Sequence, residues 1–227
     1  MPQESSDTDS RKKRIFLVDD HPLVREWLAT LVNQQSDLSV CGEAANASEG
    51  IDLIVAAKPD VAVVDIAMER RSGIELIKSI KAACPEVAVV VLTMHDEMLY
   101  AERALCAGAR GYVMKREANK NVLQAIRRVL EGKFYVSRKI AAVMAGKWVE
   151  GKPAGIDSVG ERLSSRELEV FRLLGRGLGT RQIATEMCIS FNTVQSFCAR
   201  IKEKLQLLTA AELLREAIRW HDSRQDN

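Results

Sequence analysis

The sequence predicts an α/β domain with a five-stranded parallel, doubly wound sheet of (βα)5 type, followed by a small all-α domain. Over residues 14–131, short apolar runs alternate with longer amphipathic stretches. Runs this apolar are typical of strands that helices cover on both faces of a parallel sheet. A segment with glycines and a proline then follows, and no stretch after Ser164 has the pattern of a strand. We therefore expect two domains, the first α/β and the second helical.

Five apolar runs are the predicted strands, and each gap between them is long enough for a helix. Apolar residues at helical spacing support this, as at Leu23, Trp27 and Leu31 in the first gap and at Val122 and Ile126 after the last run. In chain order the predicted strands are IFLV (15–18), LSVCG (38–42), VAVV (61–64), VAVVVL (87–92) and GYVM (111–114).

Composition narrows the class of protein. The chain has 227 residues, 47% of them hydrophobic, and a net charge of +2, so total charge indicates neither nucleic-acid nor membrane binding. Five cysteines without CxxC spacing argue against a disulfide framework or a zinc site. No apolar run approaches the roughly 20 residues of a membrane span, and the N-terminus lacks the apolar core of a signal peptide. We expect a cytoplasmic protein with no membrane partner.

The segments outside the two domains are polar or rich in turn-forming residues. Residues 1–13 are predicted to be a disordered leader, because they are polar and include an RKKR run. Residues 132–162 are predicted to be a linker with a short helix, SRKIAAVMAGK. The helical domain is placed at residues 163–221, with a tail at 222–227.

Polar side chains follow the predicted strands at the points where the strands end. Asp19 and Asp20 follow the first strand, Asp65 the third, Thr93 the fourth and Lys115 the fifth. The carboxyl ends of parallel strands meet at one edge of the sheet, so these groups should converge. Crowded carboxylates need a cation, and oxygen ligands favour Mg²⁺. With that charge screened, Asp65 could act as a nucleophile toward a phosphoryl group, with Thr93 and Lys115 binding the product.

Each of these residues also has an ordinary interpretation. A lone aspartate after a strand is usually a turn or helix-capping residue, as Asp19 or Asp20 would be before Pro22. A lone lysine is usually solvated. Their joint appearance at successive strand ends favours a functional site.

The helical region predicts a helix-turn-helix. Ser164 stands three residues before Glu167, and Thr209 three before Glu212, which is the spacing of a capping box at a helix start. Between these boxes we predict a short helix over 179–187, a turn at 188–190 and a longer helix over 191–205 capped by Ser190.

The longer helix has two different faces. Its inward face is predicted to be Val194, Phe197, Cys198, Ile201 and Leu205, and Cys188 in the turn is also predicted to be buried. Its outward face is polar with little charge, which suits contact with base edges; a small helical bundle with a solvated face, or one that binds a protein, remains the alternative. Gln195 is the candidate adenine reader, and Thr193, Arg200, Lys202 and Lys204 are candidates for holding the DNA backbone. The outward residues are Asn192, Gln195, Ser196, Ala199 and Lys202.

Residues 14–131 resemble a response-regulator receiver domain, and the whole chain resembles the NarL/FixJ family of transcription factors. The resemblance rests on VDDHPLVR (18–25), VVDIAM with Gly73 eight residues past Asp65, VLTMHD (91–96) and GARGYVMK (108–115). It implies that Asp65 accepts phosphate from a histidine kinase or a small phosphodonor. It also implies that Asp19, Asp20, Asp65 and the carbonyl of Ala67 hold Mg²⁺, and that Tyr112 turns inward as Thr93 engages the phosphoryl group.

Residues 163–220 are similar to the LuxR-type DNA-binding domain. Relatives often carry lysine at Gln195, histidine at Phe197 and, in the receiver, proline at Glu69. The first of these departures puts in doubt which DNA sequence is read.

The function expected from residues and resemblance together is a phosphorylation-dependent DNA-binding regulator, not an enzyme. Phosphorylation of Asp65 would bias a two-state receiver and free the DNA-binding helices to form a homodimer on double-stranded DNA. An aspartate-nucleophile phosphatase is less consistent with the sequence, because such enzymes typically carry a second acid where this chain has Ala67. A regulator that acts without phosphorylation, or through protein or RNA, stays open.

Overall fold

The computed structural model describes residues 12–68, 73–149, 159 and 162–223. It divides into two compact units, Met1–Ala154 and Gly155–Asn227. Several predicted features lie outside the described residues: positions 1–11 of the leader, Glu69, most of the glycine-containing linker and positions 224–227 of the tail.

The first unit contains the predicted sheet. Its five strands are all parallel, in the order β2-β1-β3-β4-β5. The five-stranded doubly wound sheet is therefore confirmed. The strands are β1 (Lys13–Val18), β2 (Leu38–Ala44), β3 (Val61–Val64), β4 (Ala88–Thr93) and β5 (Gly111–Met114). The helices are α1 (Pro22–Asn33), α2 (Ala47–Ala57), α3 (Gly73–Ala83), α4 (Glu97–Cys106), α5 (Ala118–Leu130) and α6 (Arg138–Val149), with a 3-10 turn at Lys115–Glu117.

Three strands are longer or shifted relative to the apolar runs that predicted them. β1 starts at Lys13 because the Lys13 amide donates to the Asp37 carbonyl at 2.8 Å and the Lys13 ammonium pairs with Asp60 at 2.9 Å. β2 continues to Ala44, and β4 takes in Thr93. Backbone pairing extended these strands into polar residues, which an apolar pattern does not mark.

The sheet is buried on both faces, as its apolar runs predicted. Every residue of β3, β4 and β5 is buried. One face packs against α1 and α5, and the α5 residues in this core are Ala118, Val122, Ala125, Ile126 and Val129. β1 and β3 are neighbours although β2 lies between them in sequence. The chain therefore adds β2 on one side of β1 and the later strands on the other, so the order of strands reverses at this point. In open α/β sheets, ligands bind at the carboxyl ends of strands beside such a reversal.

The predicted short helix after the sheet is α6, which packs against α4. The segment before it extends the edge of the sheet. The Tyr112 amide donates to the Tyr135 carbonyl at 2.8 Å, and the Tyr135 amide donates to the Arg110 carbonyl at 2.9 Å.

The described part of the second unit is helical. α7 packs against both α9 and α10, and its buried Phe171 meets Trp220 edge-on with ring centroids 5.7 Å apart. Both predicted capping boxes are present, at Ser164 and at Thr209. The helices are α7 (Ser165–Gly175), α8 (Thr180–Glu186), α9 (Phe191–Leu205) and α10 (Ala210–Asp222). In the described part of the chain, no helix is both long and apolar enough to cross a membrane.

Candidate functional site

Backbone pairing of β1 with its neighbours β2 and β3 places two aspartates side by side. The Asp65 amide donates to the Val18 carbonyl at 2.8 Å, and the Asp19 amide donates to the Ala44 carbonyl at 3.2 Å. Asp19 is 5% exposed and Asp65 is 1% exposed. Burial of two unpaired carboxylates would be costly, so the site requires a cation.

Lys115, which directly follows β5, supplies one positive charge. Its ammonium lies 2.7 Å from Asp19 Oδ2 and 2.6 Å from Asp65 Oδ2. Burial alone would lower the pKa of Lys115, but attraction to Asp65 and Asp19 outweighs it and raises that pKa. Lys115 therefore remains protonated and pairs with carboxylates at the ends of two strands. The sequence predicted that Lys115 would lie at this edge of the sheet.

Asp20 and His21 complete a cluster that could hold a metal ion. One ligand atom from each of Asp19, Asp20, His21 and Asp65 lies within 4.8 Å of the others. His21 Nδ1 is 2.7 Å from Asp20 Oδ1 and 3.2 Å from Asp19 Oδ1. No donor among the described residues is aligned for a hydrogen bond to the buried Asp20 Oδ1, although His21 is close.

The donor set fits a hard divalent cation. Lys115 offsets one of the three carboxylate charges of Asp19, Asp20 and Asp65, so two negative charges remain when His21 is neutral. Asp20 Oδ1 is buried and accepts no aligned hydrogen bond from the described residues, and a carboxylate oxygen of this kind is one that Mg²⁺ coordinates. The predicted fourth ligand, the Ala67 carbonyl, belongs to the loop that follows Asp65.

The loop after β3 fixes the orientation of the Asp65 carboxylate. The Ala67 amide donates to Asp65 Oδ1 at 2.8 Å, and Lys115 holds Oδ2. Gly73 starts α3 directly against this loop, because a Cβ at position 73 would lie 2.3 Å from the Asp65 carbonyl oxygen and 2.6 Å from Ile66 Cα. Only glycine allows this close approach.

Thr93 and Tyr112 are connected through His95. Thr93 is fully buried, and its Oγ1 accepts the His95 amide at 3.3 Å. The buried Tyr112 donates its hydroxyl to the His95 carbonyl at 3.0 Å. Burial, together with nearby Tyr100 and acidic groups, raises the pKa of Tyr112, so its hydroxyl remains a donor.

His95 is itself held by an aromatic contact. Its ring stacks on the fully buried Tyr100 of α4, with centroids 4.4 Å apart. The Arg103 guanidinium lies 5.8 Å from the Tyr100 ring centroid. A contiguous set of contacts thus leads from Thr93 to the helix α4.

The recognition-helix candidate, α9, has the predicted bounds and two predicted faces. Val194, Cys198 and Ile201 are buried, whereas Phe197 and Leu205 are only half-buried. The predicted DNA-contacting residues are exposed, except that Lys202 is half-buried: Asn192, Thr193, Gln195, Ser196, Ala199, Arg200 and Lys204. The predicted cap is present, since the Thr193 amide donates to Ser190 Oγ at 3.1 Å.

The prediction for Cys188 was wrong. Cys188 is exposed and has a φ of 54°, in the left-handed region. It lies in the turn between α8 and α9, outside the helical faces that pack inward.

Lys204 is engaged within the helical unit. Its ammonium lies 2.6 Å from Oε2 of the buried Glu167, and the same Oε2 accepts the Ser164 amide at 2.7 Å. Burial would raise the pKa of Glu167, but these hydrogen bonds outweigh it and lower that pKa. The pair connects the start of α7 to the last turn of α9.

Sequence reasoning did not identify the roles of His21 and His95, and it assigned Glu167 to a capping box without its ion pair to Lys204. His21 directly follows Asp20, so its sequence position was a usable signal. Glu167 and Lys204 are 37 residues apart and on different helices, so no local pattern indicated their contact.

Residues 15–127 match the model of the response regulator receiver domain, and residues 161–217 match that of the bacterial regulatory proteins of the luxR family. The oxygen regulatory protein NreC of Staphylococcus haemolyticus is 32% identical over 91% of this chain and 97% of that protein. The chain belongs to the LuxR-type two-component response regulators. It is a response regulator with a receiver domain and a LuxR-type DNA-binding domain.

Other response regulators agree with this assignment. The transcriptional activator protein ExaE of Pseudomonas putida is 34% identical over 90% of this chain and 95% of that protein. A LuxR-family response regulator from Aurantimonas is 35% identical with a TM-score of 0.57, covering 61% of this chain and 99% of its own. RcsB of Salmonella typhimurium is 25% identical with a TM-score of 0.57, covering 90% and 98%. These relatives are regulators, which confirms the prediction of a non-enzyme and is evidence against the phosphatase interpretation.

Proposed function

We propose that this response regulator is a transcription factor whose DNA binding is switched on when Asp65 accepts a phosphoryl group. The observation that carries the proposal is the position of Asp65, which is 1% exposed, held by Lys115 and the Ala67 amide, and adjacent to Asp19 and Asp20. The donor would be a sensor histidine kinase in the cytoplasm, or a small phosphodonor. Residues 14–131 would form the receiver and residues 163–221 the DNA-binding domain.

The chemistry is transfer of a phosphoryl group from one nucleophile to another. An oxygen of the Asp65 carboxylate forms a bond to phosphorus as the bond from phosphorus to the donor nitrogen breaks, and the donor histidine leaves with that electron pair. Asp19, Asp20, Asp65 and the Ala67 carbonyl would hold Mg²⁺. When bound, Mg²⁺ supplies charge that offsets the negative oxygens of the phosphoryl group. Lys115 stays protonated beside the product and pairs with it.

The switch would pass through Thr93, His95 and Tyr112. A phosphoryl group on Asp65 offers acceptor oxygens to the Thr93 hydroxyl, which at present accepts the His95 amide. A shift of Thr93 therefore changes the position of His95, whose carbonyl holds Tyr112 and whose ring stacks on α4. A change from mostly inactive to mostly active needs on the order of 5 kcal/mol of differential stabilisation.

The outward face of α9 would read DNA as part of a symmetric homodimer. Gln195 is exposed in the middle of the first two turns and can bond an adenine edge, while Thr193, Arg200 and Lys202 would hold phosphates. Lys204 remains a predicted phosphate contact, although it is paired with Glu167. The activator name of ExaE and the DNA interaction ascribed to RcsB support this part. Two copies would bind half-sites about 34 Å apart.

The phosphorylation is tested by intact mass after incubation with acetyl phosphate and Mg²⁺. We expect one phosphoryl adduct on the wild type, none on Asp65→Asn, and none on the wild type with excess chelator. Asp96→Asn is the matched control, because Asp96 caps α4 through the Met98 amide at 2.8 Å and asparagine caps equally well. An adduct on Asp65→Asn would exclude Asp65 as the acceptor.

The DNA-binding and dimerisation parts are tested on the same samples. Selection from a random duplex pool, with and without acetyl phosphate, should yield an inverted-repeat site only for the phosphorylated wild type. Sedimentation should show a monomer converting to a dimer on phosphorylation. Equal binding by the wild type and Asp65→Asn would indicate a regulator that acts without phosphorylation.

A further inference from the structure

The first residue of the recognition helix is a large apolar side chain that the protein does not bury. Phe191 begins α9 and is 41% exposed. It lies four residues before Gln195, so the two side chains are neighbours along one side of the helix. Burial of a phenylalanine side chain is normally favourable, and the exposed part of Phe191 does not contribute that stabilisation.

Phe191 does not belong to the face of α9 that packs into the core. The buried residues of α9 are Val194, Cys198 and Ile201, which belong to later positions. Phe191 stands instead at the edge of the outward face, between the direction of Cys198 and that of Gln195. The helix start is fixed firmly, because Ser190 accepts the Thr193 amide and lies 2.8 Å from the Thr193 hydroxyl.

The start of a recognition helix is the part that contacts base edges in the major groove. Only one base presents an apolar group there, since thymine carries a methyl at C5 that apolar side chains such as phenylalanine contact. An amide side chain such as that of Gln195 pairs with adenine. An aromatic ring and an amide on adjacent turns are thus a matched set for neighbouring A·T pairs.

We propose that Phe191 is a specificity-determining residue that recognises a thymine methyl next to the base read by Gln195. This inference rests on the proposed DNA binding by α9 and adds an apolar contact to it. Contact with the methyl covers the exposed ring and favours thymine over cytosine, which has no C5 methyl.

The test removes the methyl group without changing base pairing. Duplexes selected by the phosphorylated full-length protein are resynthesised with deoxyuridine at one thymine at a time, and affinities are measured by fluorescence anisotropy at fixed salt. For the wild type, we expect one thymine per half-site at which deoxyuridine weakens binding about four-fold, the value for one buried methyl. Phe191→Ala should bind the thymine and deoxyuridine duplexes equally at that position. Phe191→Leu should retain part of the difference.

The controls separate recognition from folding. Leu208 is 86% exposed after the end of α9, so Leu208→Ala removes a similar exposed apolar group and should leave the deoxyuridine effect unchanged. Wild type that binds its site selectively but is indifferent to deoxyuridine at every position would overturn the inference, as would a deoxyuridine effect that persists in Phe191→Ala. If Phe191→Ala unfolds at a lower temperature than the wild type, the test depends on Phe191→Leu, whose deoxyuridine effect should be smaller than that of the wild type. Failure to select any duplex would overturn the proposed function, and this inference with it.

Discussion

The proposed phosphorylation site and the outward face of α9 are built in opposite ways. Asp19, Asp65 and Thr93 are at most 5% exposed and come from the ends of three strands, whereas Gln195 and its neighbours are exposed on one helix. In the buried site, each charge depends on the others, because Asp19 and Asp65 are shielded from the solvent that could replace a lost partner. On the exposed face, each side chain exchanges contacts with water and acts almost independently. Substitutions should therefore have large, coupled effects in the first region and small, additive ones in the second.

The largest effect should come from removal of the Lys115 ammonium, whose side chain is 10% exposed. Lys115→Met leaves Asp19 and Asp65 without their ion pairs at 2.7 and 2.6 Å. We expect the free energy of unfolding of the receiver at neutral pH to fall by about 3 kcal/mol, as measured by urea denaturation. Because its pKa is raised, the stabilisation that Lys115 supplies is fully present below the ordinary lysine pKa of about 10.4. It is lost as the pH rises through the higher value in the folded protein.

Lys120→Met is the control for this change. Lys120 is exposed on α5, with no ion pair in the described ranges, and its replacement should alter stability by at most about 0.5 kcal/mol. Equal stabilities for the two variants would mean that the ion pairs of Lys115 with Asp19 and Asp65 contribute no net stability in solution.

The next effect concerns the backbone beneath the site. In Gly73→Ala the new Cβ would meet the Asp65 carbonyl at 2.3 Å, so the loop after β3 must move. We expect a loss of about 1–3 kcal/mol and slower phosphorylation by acetyl phosphate, followed by intact mass. Gly146→Ala is the matched control, because a Cβ there has nothing within 4 Å, and it should stabilise α6 by up to about 1 kcal/mol. Unchanged phosphorylation in Gly73→Ala would show that the loop adapts.

These two changes also show how much of the site could be predicted from the sequence. The convergence of Asp19, Asp65 and Lys115 followed from strand ends that meet at one edge, which is a property of topology that apolar runs reveal. The closeness of Gly73 to Asp65 did not follow, because helix-to-loop packing depends on the path of the chain between them. The contact between His95 and Tyr100 likewise required knowledge of where α4 packs.

In the helical unit, prediction succeeded where the signal was local. The caps at Ser164, Ser190 and Thr209 join groups three residues apart, and all three are present. Burial of Cys188 was predicted from residue type alone and was wrong, because its place in the turn decides its exposure. The pair of Lys204 with Glu167 was missed because its partners are remote in sequence.

A smaller effect is expected at the connection from Thr93 to Tyr112. Tyr112→Phe removes the hydroxyl that donates to the His95 carbonyl at 3.0 Å while keeping the ring buried. We expect a loss of about 1 kcal/mol in urea denaturation, since the carbonyl is left without this donor. In Tyr135→Phe the hydroxyl lost is exposed and 3.4 Å from Gln124 Oε1, so stability should hardly change. A loss in Tyr135→Phe as large as that in Tyr112→Phe would argue against a special role for the bond to His95.

The smallest effect on stability should come from Lys204→Met. The same variant also tests whether Lys204 contacts DNA. Its ammonium pairs with Glu167, but the side chain is 41% exposed, so solvent screening limits the loss to about 1 kcal/mol or less. The pKa of Glu167 is lowered, so its contribution is present above the ordinary glutamate pKa of about 4.3. That contribution is lost as the pH falls through the lower value in the folded protein. Urea denaturation of the wild type and Lys204→Met across that range should therefore give stabilities that converge in acid.

The dependence of DNA affinity on salt then decides what Lys204 contacts. Each phosphate contact contributes about 0.9 to the slope of log affinity against log salt concentration, so Arg200→Gln, at an exposed and predicted phosphate contact, should reduce the slope by that amount per contact. Lys204→Met should leave the slope unchanged if its ammonium stays with Glu167 and only positions α9. A reduction equal to that of Arg200→Gln would instead establish Lys204 as a phosphate contact. The exposed face of α9 would then extend to its last turn, and the bond to Glu167 would be exchanged for DNA on binding.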